Sequence, residues 1–419
     1  MPFNIGLLPS NILFSLPDDS DPTSVNFTLE VILIKFSTGD YHDNARRPII
    51  SVNDSTVFQG PPSVNIEIVG ENLALVVLYP RDIYGTRNLF YLYDWKRGTR
   101  KMVCCKSREH SVSANVYLEE PIKSHNIGLV FLSEFVILHP CQEKESLDLY
   151  LIPPSSEKMD AQLVQSLLLP AIDTNHYIGG MSCRGEPNPT GLGSSPMSTF
   201  PPRPFNNTAD DSIVIITLDI QSHIGLLFRP FSLIVHRRSL LAYAPPLTTW
   251  VCETLNITEW KKWGPSATRW FNADEVPTSW ITTTSGQCYV QIASNAHEEP
   301  APIHILDFNP YHVRRLQAQG GSCSSATSEI RLVTEFDEDS FSEHGVFLEE
   351  VRSTLPYVEC TSKELFTYNA VLIEEERIIG IRVCKTVCIN PSFFVDMRNQ
   401  YQSNLNSDAV ESFDVLHFG

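Results

Sequence analysis

Charge is scarce in this chain, and basic charge scarcer still. Asp, Glu, Lys and Arg make up 19% of 419 residues, below the ~25% usual for globular domains. Lys and Arg number 31 against 49 acids, a formal net charge of −18. So acidic a chain repels phosphate backbones, which argues against general nucleic-acid binding. Low charge with 42% hydrophobic residues excludes wholesale disorder and a long charged coiled coil. Glycine (20) is outnumbered by proline (29), so frequent turns and few long helices are expected. No apolar run reaches the ~18–20 residues of a membrane helix. The richest, 126–140, is cut by Ser133 and Glu134. The apolar N-terminus has no Lys or Arg ahead of it and is broken by Pro9, so no secretory signal is read there. A cytoplasmic or nuclear location is the expectation, with the sequons at Asn26, Asn53, Asn206 and Asn256 as chance matches.

Motifs for chemistry are equally sparse. The ten cysteines contain no Cys-x-x-Cys. The close pairs, Cys104 with Cys105 and Cys384 with Cys388, have no His or second pair at zinc spacing. They read as reduced structural thiols, and no metal or cofactor is expected. There is no Gly-x-Ser-x-Gly elbow, no phosphate-binding Gly-x-x-x-x-Gly-Lys loop and no His-Glu-x-x-His,. The acidic run 335–350 puts Phe341 and Ser342 where a calcium loop needs a ligand and a glycine, so it reads as a solvated loop,. His236 ends an apolar run. It reads as a structural histidine, because no acid to orient it as a general base is identifiable.

What is present is a succession of short β-rich runs between turn residues: 29–36, 64–69, 73–79, 88–93, 213–220, 227–236, 288–292, 303–308 and 330–334,. The runs 370–373 and 378–383 flank a charged tip and predict a hairpin. Four runs fall within 64–105, about the ~40 residues of one propeller blade. In the third break, Asp94 can bond its own turn and Gly98 can take a positive φ; an isolated hairpin is the other reading of that stretch. Residues 177–211, rich in Gly, Pro and Ser, predict a long loop. Residues 310–319 predict a short helix capped by Asn309, and 159–169 fit either a helix or an edge strand.

Five of the six tryptophans fall within 250–280. Trp260, Trp263, Arg269 and Trp270 are the candidate protein-binding residues, since Trp and Arg dominate interface hot spots and Arg269 stacked on an indole would add a cation–π attraction. The alternative is that these indoles wedge between neighbouring sheets. Acidic and aromatic surfaces together suit a peptide partner carrying Lys or Arg.

Several phrases occur in an order that resembles the C-terminal part of the basidiomycete F-box proteins. They are Leu92-Tyr-Asp-Trp-Lys-Arg-Gly98, Val130-Phe-Leu-Ser133, Leu147-Asp-Leu-Tyr-Leu151 and Leu167-Leu-Leu-Pro170. Then come Ile234-Val-His-Arg-Arg-Ser-Leu-Leu241, the phrase from Trp260 to Phe271, Leu306-Asp-Phe-Asn-Pro310 and Ile373-Glu-Glu-Glu-Arg-Ile-Ile-Gly380. The resemblance covers 64–385. It implies a WD-repeat-like β-propeller that recognises substrates for a cullin–RING ubiquitin ligase, docked through the Skp subunit by an F-box. An F-box opens on Leu-Pro-x-Glu. Residues 7–12 offer Leu-Leu-Pro-Ser-Asn-Ile without a Glu, so the F-box itself is expected to be missing.

The expectation is an all-β chain, 1–419 forming a single β-propeller of about seven four-stranded blades. Its expected role is a non-enzymatic protein-interaction module with a protein or peptide partner, with the ubiquitin-ligase core subunit as a further partner if an F-box exists upstream, and with neither nucleic acid nor membrane. A propeller hydrolase with Asp94, Glu253, Asp307 and Glu335 around a channel is the competing class, and a plain scaffold without ligase contact is the third.

Overall fold

The computed structural model describes residues 28–35, 38–53, 63–78, 87–107, 128–154, 161–189, 209–223, 228–246, 255–272, 283–292, 299–325, 327–334, 346–374, 377–385 and 408–417. These form an all-β architecture of six sheets. Sheet A pairs β1 (Thr28–Ile32) with β2 (Ile49–Asn53). Sheet B is an antiparallel meander of β3 (Ser63–Val69), β4 (Asn72–Leu78), β5 (Arg87–Asp94) and β6 (Thr99–Ser107). Sheet C runs through β7 (Val130–Ser133), β8 (Val136–Cys141), β9 (Ser146–Leu151) and β10 (Gln162–Leu168). Sheet D orders β11 (His176–Arg184), β12 (Ile213–Ser222), β13 (Phe228–His236) and β15 (Thr268–Asn272), while β14 (Asn256–Thr258) crosses back to lie parallel on β10.

Sheet E begins with β16 (Thr284–Ser285), β17 (Cys288–Ile292) and β18 (Ala301–Asp307). Next to β18 stands β21 (Tyr357–Phe366), with β20 (Ser328–Val333) and β19 (Ser322–Ser324) outside it. Sheet F holds β22 (Ala370–Ile373), β23 (Arg377–Lys385) and β24 (Asp408–His417). Among the described residues, three α-helices join them: α1 (Arg237–Leu241), α2 (Trp260–Ala267) and α3 (Pro310–Ala318). Among the described residues no helix is long and apolar enough to cross a membrane.

The strands read as continuous apolar runs because the middle sheets bury both faces. Alternate side chains of a strand point to opposite sides. In β4, Leu73, Leu75 and Val77 join a core with sheet A. Ala74 and Val76 join another with Leu129, Phe131 and Ile137 of sheet C. Sheet C turns its other face, Val130, Leu132, Leu138 and Leu149, onto sheet D. Ile213, Ile215 and Ile234 of sheet D then meet Tyr289 and Leu306 of sheet E, and Val290 and Ile303 of sheet E meet Val371 and Ile378 of sheet F. Each sheet therefore shares a core with the next in chain order. Burying one such Leu or Ile contributes about 1.5–3 kcal/mol.

The four runs of 64–105 form one four-stranded sheet, and Asp94 and Gly98 behave as expected. Asp94 Oδ1 accepts the Arg97 N–H at 3.0 Å, and Gly98 has φ +66°. The hairpin of β22 and β23 and the Asn309-capped helix also form; Asn309 Oδ1 accepts the Tyr311 N–H at 2.9 Å. Among the described residues, the sheets are not uniform four-stranded units and about seven blades are not seen: strand numbers run from two to six, with β14 added to sheet C and the β19–β20 pair extending sheet E beyond β21. Residues 159–169, open between helix and edge strand, hold β10 in the interior of sheet C.

The predicted loop 177–211 requires correction at its start. Residues through Arg184 form β11, and the rest up to 189 are also described. The Gly179-Gly180 pair that suggested a loop sits beside a register shift in the β11–β12 ladder. A Cβ on Gly179 would stand 2.3 Å from the Gln221 amide, and one on Gly180 would stand 2.8 Å from the Asp219 carboxylate. The glycines make room for the neighbouring strand's side chains. Residues 190–208 lie outside the described residues.

Candidate functional site

The tryptophan cluster is positioned by the crossover between sheets C and D. After β13 and α1 the chain returns to sheet C as β14, passes through α2, and rejoins sheet D as β15. This puts Trp260 and Trp263 on α2 and Trp270 on β15 into the core shared by the two sheets. The rings meet edge to face: Trp260 to Trp263 at 5.1 Å, Trp260 to Trp270 at 5.8 Å, and Trp270 to Phe347 at 5.6 Å. Such geometry suits the aromatic quadrupole. Trp263 Nε1 donates to the Leu168 carbonyl at 2.7 Å, so its one polar atom is satisfied. The segment 346–355 straps the cluster from outside: Thr354 N–H and Oγ1 donate to the Pro265 carbonyl, both at 2.9 Å.

Arg269 leaves the indoles alone. Its guanidinium lies 5.2 Å from the Tyr357 ring centre and Nη1 donates to the Thr334 carbonyl at 3.4 Å. The expected Arg–indole stack is therefore replaced by an Arg–tyrosine stack, because adjacent residues of β15 face opposite ways, Arg269 toward sheet E and Trp270 into the core shared with sheet C,. All four candidate residues are buried, at 8%, 1%, 5% and 4% exposure for Trp260, Trp263, Arg269 and Trp270. The indoles therefore wedge between sheets C and D, with Arg269 buried against sheet E.

A second cluster, not signalled by any motif, lies where sheets B and D approach. Arg237, the first residue of α1, is wholly buried. Nη1 donates to the carbonyls of Pro187 (2.8 Å) and Ala209 (2.6 Å), and Nη2 to that of Gly185 (3.1 Å). One guanidinium thus ties together both ends of the stretch between β11 and β12. Desolvation lowers its pKa to about 10, opposed by the charges of Glu186, Asp210 and Glu67. From sheet B, the half-buried Glu67 accepts the Asn188 amide N–H at 2.5 Å. Desolvation, with a smaller push from Glu186, raises its pKa to about 7 against the pull of Asn188 and Arg237. Glu186 is raised for the same leading reason. The one sequence signal was a Glu within the apolar run 64–69. Arg237 was hidden as half of an ordinary Arg-Arg pair.

The acids expected around a channel are not gathered as far as they are described. Asp94 is held by the Arg97 backbone and guanidinium in its own turn. Asp307 binds the Asn309 N–H and His312 at the start of α3. Glu253 and Glu335 lie outside the described residues, as does most of the acidic run. His236 is buried, and desolvation, then Arg238, lowers its pKa. Its Nδ1 has no hydrogen-bond partner among the described residues, so the buried ring is only partly satisfied. The five described cysteine side chains, Cys141, Cys183, Cys288, Cys323 and Cys360, are free thiols.

On the face of sheet E that carries Leu306 and Tyr357, a polar network crosses three strands. Glu359 pairs with His304 at 2.9 Å and with Arg331 at 2.5 Å. Burial alone would raise the Glu359 carboxyl; the hydrogen bonds from His304 and Arg331 overcome it and lower the pKa. The arrangement fixes strand register and holds the carboxylate ionised. Comparison with family models, curated proteins and solved structures finds no match to this chain.

Proposed function

We propose that the chain is a non-enzymatic protein-interaction module of propeller-like build, the substrate-recognition region of a divergent F-box-type ubiquitin-ligase adaptor acting in the cytoplasm or nucleus. The observation that carries the reading is the succession of antiparallel sheets, each sharing a core with its chain neighbour. Four of them contain a four-strand antiparallel unit: sheets B and D outright, sheet C without β14, and sheet E without β19 and β20. First strands of neighbouring sheets also touch, β3 against β7 and β16 against β22, as radial packing about an axis requires. A stack of this kind holds its cores by itself and leaves turns and outer edges free to vary for recognition.

The hydrolase reading draws no support from Asp94 and Asp307, which are spent on local turns. The adaptor arm is tested by co-purification with the Skp subunit of a cullin–RING ligase, which binds through an F-box. Because residues 7–12 lack the F-box glutamate, a one-to-one complex is expected only where the expressed transcript encodes an F-box upstream of them. A folded product of such a transcript that does not bind removes the adaptor role and leaves a binding module without ligase contact.

A further inference from the structure

The outer face of α3 is a basic exception on an acidic protein. From Phe308 to Ser328 the chain has no Asp or Glu, while α3 carries His312, Arg314 and Arg315. Val313 and Leu316 turn inward onto Val358, Ile330 and Leu332 of sheet E, which anchors the helix by one stripe. The opposite side presents Tyr311, His312, Arg314 and Arg315 to solvent, Tyr311 at 73% exposure. That is a large exposed aromatic for a side chain with no core to serve.

The patch is ordered before any partner arrives. The Arg314 guanidinium lies 5.0 Å from the Tyr311 ring centre, and its Nε donates to the Pro310 carbonyl at 3.1 Å. Asn309 caps the helix, and the hydrogen bond that His312 donates to the Asp307 carboxylate favours a charged His312. Asp307 is the one carboxylate bound here. Among the described residues neither Arg314 nor Arg315 has an ion-pair partner, in a chain where acids outnumber bases 49 to 31. Exposed Arg beside exposed Tyr is the composition of interface hot spots, and fixing their rotamers in advance lowers the entropic cost of binding.

We propose that the outer face of α3 is a docking surface for an acidic peptide, a partner segment rich in Asp and Glu with an apolar side chain to lie on Tyr311. This deepens the protein-interaction reading and rests on it. Complementary charge selects the partner: carboxylates pair bidentately with the two guanidiniums. A nucleic-acid backbone would meet the same arginines, but the remainder of a chain of net charge −18 repels it.

The test is fluorescence anisotropy on the full chain with three labelled probes: a short Asp/Glu peptide containing one Phe, a Lys-rich peptide of equal length, and single-stranded oligothymidine. The acidic probe is expected to bind, more weakly as salt rises, and R314E/R315E to weaken it by at least about tenfold, or ~1.4 kcal/mol. R314Q/R315Q and Y311A should each give a smaller loss. Unchanged thermal unfolding checks that each variant is folded. Acidic-probe binding that survives R314E/R315E overturns the α3 assignment while leaving a peptide-binding chain. No acidic-probe binding by the folded wild type also overturns it, and binding of the Lys-rich probe in that case keeps the broader module reading alive. Tighter binding of oligothymidine than of the acidic peptide makes nucleic acid the occupant and ends the proposal.

Discussion

Glu67 illustrates what this fold does to a single charge. On β3 in sheet B it meets Asn188, Glu186 and Arg237 from the sheet D side, and desolvation raises its carboxyl to about 7 from an ordinary 4.5. Between those values the folded chain keeps a proton that the unfolded chain has released. Stability must then fall as pH rises from about 4.5 to about 7, and this contribution is level above that,. The full shift corresponds to ~3 kcal/mol at 1.36 kcal/mol per pH unit. Partial exposure screens it to about 2 kcal/mol. Glu67→Gln stays neutral at every pH and should flatten this part of the profile. Urea unfolding at pH 5 and pH 8 measures it: the wild type should lose about 2 kcal/mol more than the variant over that interval. Equal losses would show Glu67 to be solvated. At this scale little could be read in advance. Charged residues inside apolar runs are visible in a sequence, but the groups that surround Glu67, namely Asn188, Glu186 and Arg237, lie far along the chain.

At the scale of elements, legibility followed burial. β4, β5, β12, β17 and β22 stand out because apolar side chains on both faces make unbroken runs. α3 stands out because Asn309 and Pro310 mark its start. β11 and α2 were hidden by their glycines. In α2, Gly264 and Pro265 look like breakers, yet Trp260 packs over Gly264 so closely that a Cβ there would lie 2.1 Å from the indole. The Pro265 carbonyl is also used, by Thr354. These two forces give a clean contest. Helix propensity favours Gly264→Ala by about 1 kcal/mol, whereas overpacking costs about 1–3 kcal/mol. The substitution cannot be absorbed without moving Trp260 off Trp263 and Trp270, so net destabilisation of about 1–2 kcal/mol is expected. The near-ultraviolet circular dichroism of the indoles should change with it. A more stable variant would mean that α2 is not pressed into the core between sheets C and D.

For the whole molecule, the rhythm of runs and turns announced repeated antiparallel sheets, and sheet B matches residue for residue within a position or two. Two departures were beyond reading from sequence. β14 is a three-residue strand, too short to register as periodicity, yet it carries the chain back to sheet C. In sequence the β19–β20 pair intervenes between β18 and β21, yet β18 and β21 pair directly in the sheet although they lie about fifty residues apart, a pairing set by tertiary contact. The resulting array has sheets that bury both faces, so none of B to E can detach without exposing two cores. Native-state hydrogen exchange tests this most directly, followed at Leu75 in β4, Leu149 in β9, Ile216 in β12 and Leu306 in β18. If the sheets share their cores as described, these four amides open with one common free energy, equal to that of global unfolding. Distinct and widely separated values, one sheet opening while its neighbours stay closed, would contradict the account.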